Sequence, residues 1–518
     1  MRLTIAQITE YSQALTIVPA RDAHRVIQRI SWDSRTMLPD TLFVALPGEH
    51  VDGNDFIIEA LRRGAAAVLA SRQVTEEERF TAQRHRVALL YVTDGVAALQ
   101  RLASAWRDEL GARVIGITGS SGKTSTKSYV AAVLEKAFLT VSSLGNRNNE
   151  IGLPATVLSA SPPTEALVVE MAMRGLGQIE ELCAIARPHV GIVTNIGPVH
   201  LEALGTKDNV ARAKAELIEA LPNSRGIAIL NGDDPWTPRI REIAQTTERD
   251  VRVILFGLGV HNDIRAAHVT YDEDGYPSFD LWLQDGSPHR VSLDQRGEHS
   301  VYNALAGAAT GIALGMESQL VSSALEKVQP VAMRQVSHEL SDGTLLIDDT
   351  YNANPDSMRA ALELLAKLST TRTHVAVLGD MGELGEEEYA LHEGIGNTAY
   401  LTGVDMLVTI GELARHYAQG ARLAGMADEH IFSCDSVEEA LGVLVPLRQE
   451  APIVLVKASR FMALERVVEK LIEGFVPVIP DADEQDQGDA EQDAPEQGTT
   501  EQDAGETGFD ELAEGAPA

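Results

Sequence analysis

The chain has only two cysteines in 518 residues, Cys183 and Cys434, far apart in sequence. That excludes a disulfide framework and points to a reducing compartment. No apolar run reaches the ~18 residues that a membrane-spanning helix requires. The opening Met1-Arg-Leu-Thr-Ile-Ala-Gln lacks the basic-then-apolar order of a secretion signal. A cytoplasmic protein with no membrane span is therefore expected. Basic residues are also scarce: 43 Lys and Arg stand against 76 Asp and Glu, for a net charge of −33. This argues against sequence-independent binding to nucleic acid, and any phosphate must be met by a local device.

The acidity is uneven. Fourteen acidic residues and no Lys or Arg lie between Asp481 and Glu514, so the rest of the chain carries −19. This tail cannot bury enough apolar surface to offset its ordering entropy, and it is expected to be disordered. It reads either as a solubilising appendage or as a regulatory, partner-binding segment.

At 44% hydrophobic residues the remainder can build large cores, and its length suits about three domains. Alternating apolar runs and helical patterns predict an α/β fold with units at 1–108, 109–330 and 331–478, and the tail at 479–518. In the first, Leu42–Leu46, Ala67–Ala70 and Val87–Val92 read as strands, Phe56–Ala67 and Val96–Leu110 as helices, and Ser71–His85 as a polar stretch. In the second, Val114–Thr118, Leu167–Glu170, Val190–Thr194 and Ile227–Leu230 predict a parallel sheet. Val251–Val291 reads as a small antiparallel insertion. In the third, the strands are expected at Leu345–Asp348, Val375–Leu378, Met406–Ile410 and Ile453–Val456.

What is present is concentrated around Gly116-Ile-Thr-Gly-Ser-Ser-Gly-Lys-Thr-Ser125. An apolar strand precedes it and a helix-compatible segment follows, the layout of a phosphate-binding loop. The amides of Gly119, Ser120, Ser121, Gly122 and Ser125 and the helix N-terminus suit phosphate oxygens. Lys123 adds a full charge, and the Thr124 hydroxyl can ligate Mg²⁺. The general pattern places a glycine where this chain has Ile117; Gly116 lies one residue too early, and a plain glycine-rich turn stays open as the alternative.

Glu170 ends a strand at the edge where open α/β sheets bind ligands. His200 follows the next strand and reads either as a metal ligand beside Glu170 or as a hydrogen-bonded loop histidine. Lys214, in a helical run, reads by default as a solvated surface lysine. Asn303 enters an Ala/Gly-rich helix, where it could read an adenine edge or merely accompany close helix packing. Asp348-Asp-Thr-Tyr-Asn-Ala-Asn-Pro355 follows an apolar strand and is either a polar binding loop, with Asp349 on a ribose, or a turn.

Taken together these motifs resemble the ATP-dependent Mur ligases of bacterial cell-wall synthesis, over residues 25 to 470. The resemblance rests on Ile117-Thr-Gly-Ser-Ser-Gly-Lys-Thr124, Asn148-Asn-Glu-Ile-Gly-Leu-Pro154, Glu170-Met171, Thr194-Asn-Ile-Gly-Pro-Val-His-Leu-Glu202, Ala213-Lys-Ala-Glu216, Tyr351-Asn-Ala-Asn-Pro-Asp-Ser-Met358 and Leu378-Gly-Asp-Met-Gly-Glu-Leu384. It implies a central P-loop ATPase-like domain, a Rossmann-like C-terminal domain and a smaller N-terminal domain. It further implies a monomer that joins D-alanyl-D-alanine to UDP-MurNAc-tripeptide through an acyl phosphate, with ATP and two Mg²⁺. Lys123, Glu170, His200 and Lys214 match the family's catalytic positions. Thr124, Glu170, His200 and a CO₂-carbamylated Lys214 match its metal ligands. Asn303, Arg334 and Asp349 fall to the nucleotide. Ser31, Asp33, Ser34 and Arg35 fall to the UDP part of the substrate, and Asn149, Asn352 and Asn354 also fall to substrate binding. The chain departs from the family at Met333, where a glycine usually precedes the arginine.

Overall fold

The computed structural model describes residues 1–48, 51–369 and 371–474; the acidic tail expected to be disordered lies outside them. Besides a two-stranded antiparallel pair, Leu3–Thr4 with Val26–Ile27, three larger sheets follow one another along the chain. The first has the order Leu15–Val18, Ala88–Tyr91, Ala67–Ala70, Thr41–Val44, Arg29–Ser31, parallel except at the Leu15–Val18 edge. Thr41–Val44 and Ala67–Ala70 are buried along their whole length, which is why they read as continuous apolar runs. The stretch Ser71–His85 is not simply polar coil: Glu76–His85 is a helix, closed by a reciprocal Thr75–Glu78 capping box. It has no clear apolar stripe, but its Thr-x-x-Glu start is a sequence signal for a helix.

The second sheet has nine strands, with Arg113–Thr118 between Ala166–Glu170 and Val190–Val193 and parallel to both. The carboxyl ends of these three strands therefore release their loops at one edge, the usual ligand-binding edge of such sheets. The expected insertion at 251–291 is not separate. Arg252–Gly257 pairs parallel with Ile227–Asn231, and Ile264–Tyr271, Pro277–Trp282 and Pro288–Ser292 extend the same sheet, the last two antiparallel. Local alternation of apolar and polar residues marks the strands here but carries no information about the sheet they join.

Gly116 and Gly191 stand opposite each other on neighbouring strands. A Cβ at Gly116 would lie 2.7 Å from Leu217 Cδ1, and one at Gly191 would lie 2.9 Å from Ile218 Cδ1. The pair forms a flat floor on which the helix Lys207–Glu219 rests. Gly116, out of step as a phosphate-loop glycine, belongs to this floor. Gly116→Val is expected to lower unfolding stability by about 1–3 kcal/mol through overpacking, read from urea midpoints.

The third sheet has the order Val336–Glu339, Leu345–Asp349, Ile453–Lys457, His374–Gly379, Met406–Ile410, Ile431–Cys434, parallel except at the first strand. Among the described residues no helix is long and apolar enough to cross a membrane.

Candidate active site

A cavity of about 590 Å³ opens where the loops of the second sheet face those of the third. Gly119 begins the phosphate loop so close to Thr194 that a Cβ would fall 1.8 Å from its Oγ1; only glycine fits. The loop is then fastened to the next strand's end. Ser120 and Ser121 donate their amides to the Asn195 carbonyl and side chain, each at 3.0 Å, and Thr194 Oγ1 donates to the Ser121 carbonyl at 2.6 Å. Gly122 caps the helix Lys123–Leu134. The Lys123 ammonium folds back to the Gly119 carbonyl at 2.7 Å. Burial lowers the Lys123 pKa; nearby Glu170 opposes that shift and Arg334 adds to it.

Glu170 is almost fully buried at the end of its strand. It accepts from Thr124 Oγ1 at 2.9 Å and Asn148 Nδ2 at 2.7 Å, and Lys127 Nζ stands 3.6 Å away. Arg334 donates to Thr124 Oγ1 at 3.0 Å and lies over the Tyr351 ring at 4.1 Å. Three cations, Lys123, Lys127 and Arg334, thus surround one carboxylate. The excess positive charge suits an anion of high charge density such as a polyphosphate. Met333 has φ +58, in the left-handed region, which explains why the family's usual glycine is favoured there. Arg334 reaches the loop all the same. The Met333 carbonyl accepts from the Tyr351 amide at 3.1 Å, and its Sδ is 3.5 Å from Arg460 Nη1.

Lys214 is not a solvated surface lysine. It is 2% exposed, on the buried face of the helix that rests on Gly116 and Gly191. Burial first, and then the Lys123 charge, push its pKa well below the ordinary value. His200 lines the cavity, but its Nδ1 meets the carboxylate of Glu383 from the third sheet's side. Glu170, His200 and Lys214 are therefore not drawn into direct mutual contact. Among the described residues no group of three or more His, Cys, Asp or Glu could hold a metal ion. The Thr124 hydroxyl and Glu170 carboxylate, two oxygens facing each other, do fit a hard divalent ion completed by phosphate and water oxygens.

On the far wall, Asp349 accepts from Lys457 Nζ at 2.7 Å; the two stand in register on adjacent strands, and Lys457 also donates to the Asn352 carbonyl at 3.0 Å. Asn303 accepts from Thr126 Oγ1 at 2.9 Å, so it joins its own helix to the phosphate-loop helix while lining the cavity. Ser125, Asn352 and Asn354 line the cavity too, although the Asn354 side chain also closes a capping box with Ser357. Asn149 is exposed and accepts from the Gly152 amide at 2.9 Å, in a turn away from the cavity lining. Ser31, Asp33, Ser34 and Arg35 form their own cluster in the first domain. Asp33 pairs with Arg35 at 2.9 Å, and Ser34 donates to Glu59 at 2.8 Å. None of the four lines this cavity.

Sequence reasoning assigned no role to Lys127, Asn195, His299 or Lys457. Lys457 carried a visible signal, a charged residue directly after an apolar strand, and Asn195 stood without a role of its own in the Thr194–Glu202 motif. His299 lines the cavity, and burial lowers its pKa to about 4. The folded protein thus holds it neutral where the unfolded chain, with an ordinary histidine, takes up a proton. Its contribution is full above about pH 6.5 and is lost as pH falls toward 4, by no more than ~3 kcal/mol. His299→Gln is expected to flatten that part of the pH–stability curve, measured by urea unfolding.

A phosphate-binding loop on a parallel sheet, with Lys123, Lys127 and Arg334 about it and a second α/β domain facing it across the cavity, defines a nucleotide-dependent enzyme built from several domains. Three family descriptions match in chain order: "Mur ligase family, catalytic domain" at 26–107, "Mur ligase middle domain" at 117–311, and "Mur ligase, glutamate ligase domain" at 333–460. Two curated relatives are named UDP-N-acetylmuramoyl-tripeptide--D-alanyl-D-alanine ligase. That of Mycobacterium tuberculosis is 39% identical over 508 residues, covering 91% of this chain and 98% of the relative. That of Bacillus subtilis is 34% identical over 473 residues, covering 91% and 99%. A crystal structure of MurF from Acinetobacter baumannii superposes with TM-score 0.80 at 30% identity over 91% of this chain and 99% of that one. MurF ligase from Thermotoga maritima in complex with ADP gives 0.73 at 29% over 86% and 97%. The chain belongs to the Mur ligase family.

Proposed function

We propose that the protein joins D-alanyl-D-alanine to UDP-N-acetylmuramoyl-tripeptide at the expense of ATP, releasing ADP and phosphate. The observation that carries this reading is the cavity between the second and third sheets, beside which Arg334 of the third unit touches Thr124 of the phosphate loop and stands with Lys123 and Lys127 around Glu170. The names of the relatives supply the substrates. In the reaction, the terminal carboxylate of the tripeptide attacks the γ-phosphorus of ATP and ADP departs. The amine of the dipeptide then attacks the acyl carbon, and the tetrahedral intermediate expels phosphate. Little covalent chemistry falls to the protein, so catalysis is positioning and charge neutralisation.

In this reading Lys123 leaves the Gly119 carbonyl for the β- and γ-phosphates, held with the amides of Gly122 to Ser125 at the helix start, while the Ser120 and Ser121 amides stay on Asn195 and fix the loop. Arg334 neutralises charge on the transferring group. Asp349 and Asn303 hold the nucleoside. Thr124 and Glu170 would hold Mg²⁺, with His200 and a carbamylated Lys214 completing a second site; bound metal would neutralise phosphate charge. The depressed pKa of Lys214 supports carbamylation, because only a neutral amine adds to CO₂. Residues 1–108, with Ser31, Asp33, Ser34 and Arg35, take the UDP end, and Asn149, outside the cavity lining, is assigned to the same substrate. Residues 109–330 take ATP. Residues 331–478, with Asn352 and Asn354, take the dipeptide. The enzyme acts as a cytoplasmic monomer. Phosphate release with ATP and UDP-MurNAc-tripeptide is expected with D-Ala-D-Ala and not with D-glutamate or diaminopimelate. Equal release with either of those amines overturns the substrate assignment.

A further inference from the structure

His200 lines the cavity between the second and third sheets, yet one of its ring nitrogens is already engaged. Nδ1 meets the carboxylate of Glu383, which follows the third-sheet strand His374–Gly379. The other Glu383 oxygen faces Arg174 Nε at 3.4 Å. Both ends of the contact are held by unusual backbone: His200 has φ +53 and Glu383 has φ +61, a region that residues with a Cβ rarely adopt. The loop is also docked next door, where a Cβ on Gly385 would lie 3.3 Å from the Glu202 backbone. The glutamate loop and the turn carrying His200 are thus fitted to each other over several residues.

A carboxylate on one imidazole nitrogen fixes the tautomer and the ring plane, leaving the other nitrogen as the lone-pair donor. We propose that Glu383 is a positioning residue: accepting the Nδ1 proton of His200, it holds Nε2 ready as a metal ligand, so the central domain's metal site is complete only when the third domain is docked. This rests on the metal-dependent reading above and deepens it. Nucleotide bound without docking then meets a histidine free to rotate, and phosphoryl transfer is withheld until the amine-binding domain is in place. Closure and chemistry are coupled through one side chain rather than through the general fit of two surfaces.

The test uses the full chain, Mn²⁺ as probe and a non-hydrolysable ATP analogue, with free Mn²⁺ counted by electron paramagnetic resonance. Glu383→Ala and the isosteric Glu383→Gln are each made alone and with His200→Ala, and melting temperatures verify folding. Should the alanine variant fail to fold, the glutamine variant carries the comparison. The expected result is ~10–100-fold weaker Mn²⁺ binding in Glu383→Ala, a smaller loss in Glu383→Gln, and no added loss in either double variant. Unchanged Mn²⁺ affinity in the single variants overturns the proposal. So does an equal loss with and without His200, which marks Glu383 as an interdomain clasp only. If the parent protein itself takes up no Mn²⁺ with the nucleotide, the metal-dependent reading fails and the proposal falls with it.

Discussion

Lys214→Met is expected to yield a protein more stable than the parent that ligates at least ~10³-fold more slowly. Lys214 is buried at 2% exposure, and the Lys123 charge nearby disfavours its protonation further. A buried amine in that setting is a burden on folding. Methionine has nearly the same length and volume and carries no polar atom, so the helix Lys207–Glu219 keeps its seat on Gly116 and Gly191. The linkage runs in one direction. Between its depressed folded pKa and the ordinary lysine value, the unfolded chain holds a proton that the folded chain lacks. The parent's stability therefore rises with pH across that window, and the variant lacks this rise. Urea midpoints between about pH 6 and 9 measure the difference. Removing CO₂ from the buffers should depress the parent's turnover, with recovery on adding bicarbonate, while the variant stays unresponsive.

Arg334→Ala is expected to lower kcat by about 10³-fold while leaving the fold intact. Arg334 alone among the described residues links the third unit to the phosphate-loop hydroxyl of Thr124, at 3.0 Å, and it is braced by its stack on Tyr351. Removing it takes away a charge that neutralises the transferring phosphoryl group and a contact made on closure. Arg334→Lys should recover no more than about 10-fold of the loss, because a point charge reproduces neither the planar fork nor the stacking. Single-turnover ATP cleavage separates the effect on chemistry from that on product release.

The central strands of all three sheets were legible because burial on both faces leaves continuous apolar runs, whereas edge strands such as Leu15–Val18, Arg29–Ser31 and Val336–Glu339 are only partly buried and were not; Lys123–Ser125 was legible because a phosphate loop is local. Gly116 was not. Its role depends on Leu217, which is distant in sequence and brought near only by the fold. The same distance hid Lys214: nothing in Val210-Ala-Arg-Ala-Lys-Ala-Glu216 tells which helix face meets the sheet, and only the family resemblance lifted the residue above a surface lysine. Asp349 was placed at a strand's end, but its partner Lys457 comes from the last strand of the same sheet, a pairing that topology decides. Glu383 was visible within Leu378-Gly-Asp-Met-Gly-Glu-Leu384 as a motif without a task, because its contact is with another domain.

The central claim is that the tripeptide carboxylate itself is phosphorylated. UDP-MurNAc-tripeptide labelled with ¹⁸O in its terminal carboxylate, incubated with ATP and D-Ala-D-Ala, tests this directly. Mass spectrometry of the released phosphate should find one carboxylate-derived ¹⁸O in each phosphate, matched by one new amide bond. Phosphate without the label, or an amide formed without phosphate release, contradicts the account.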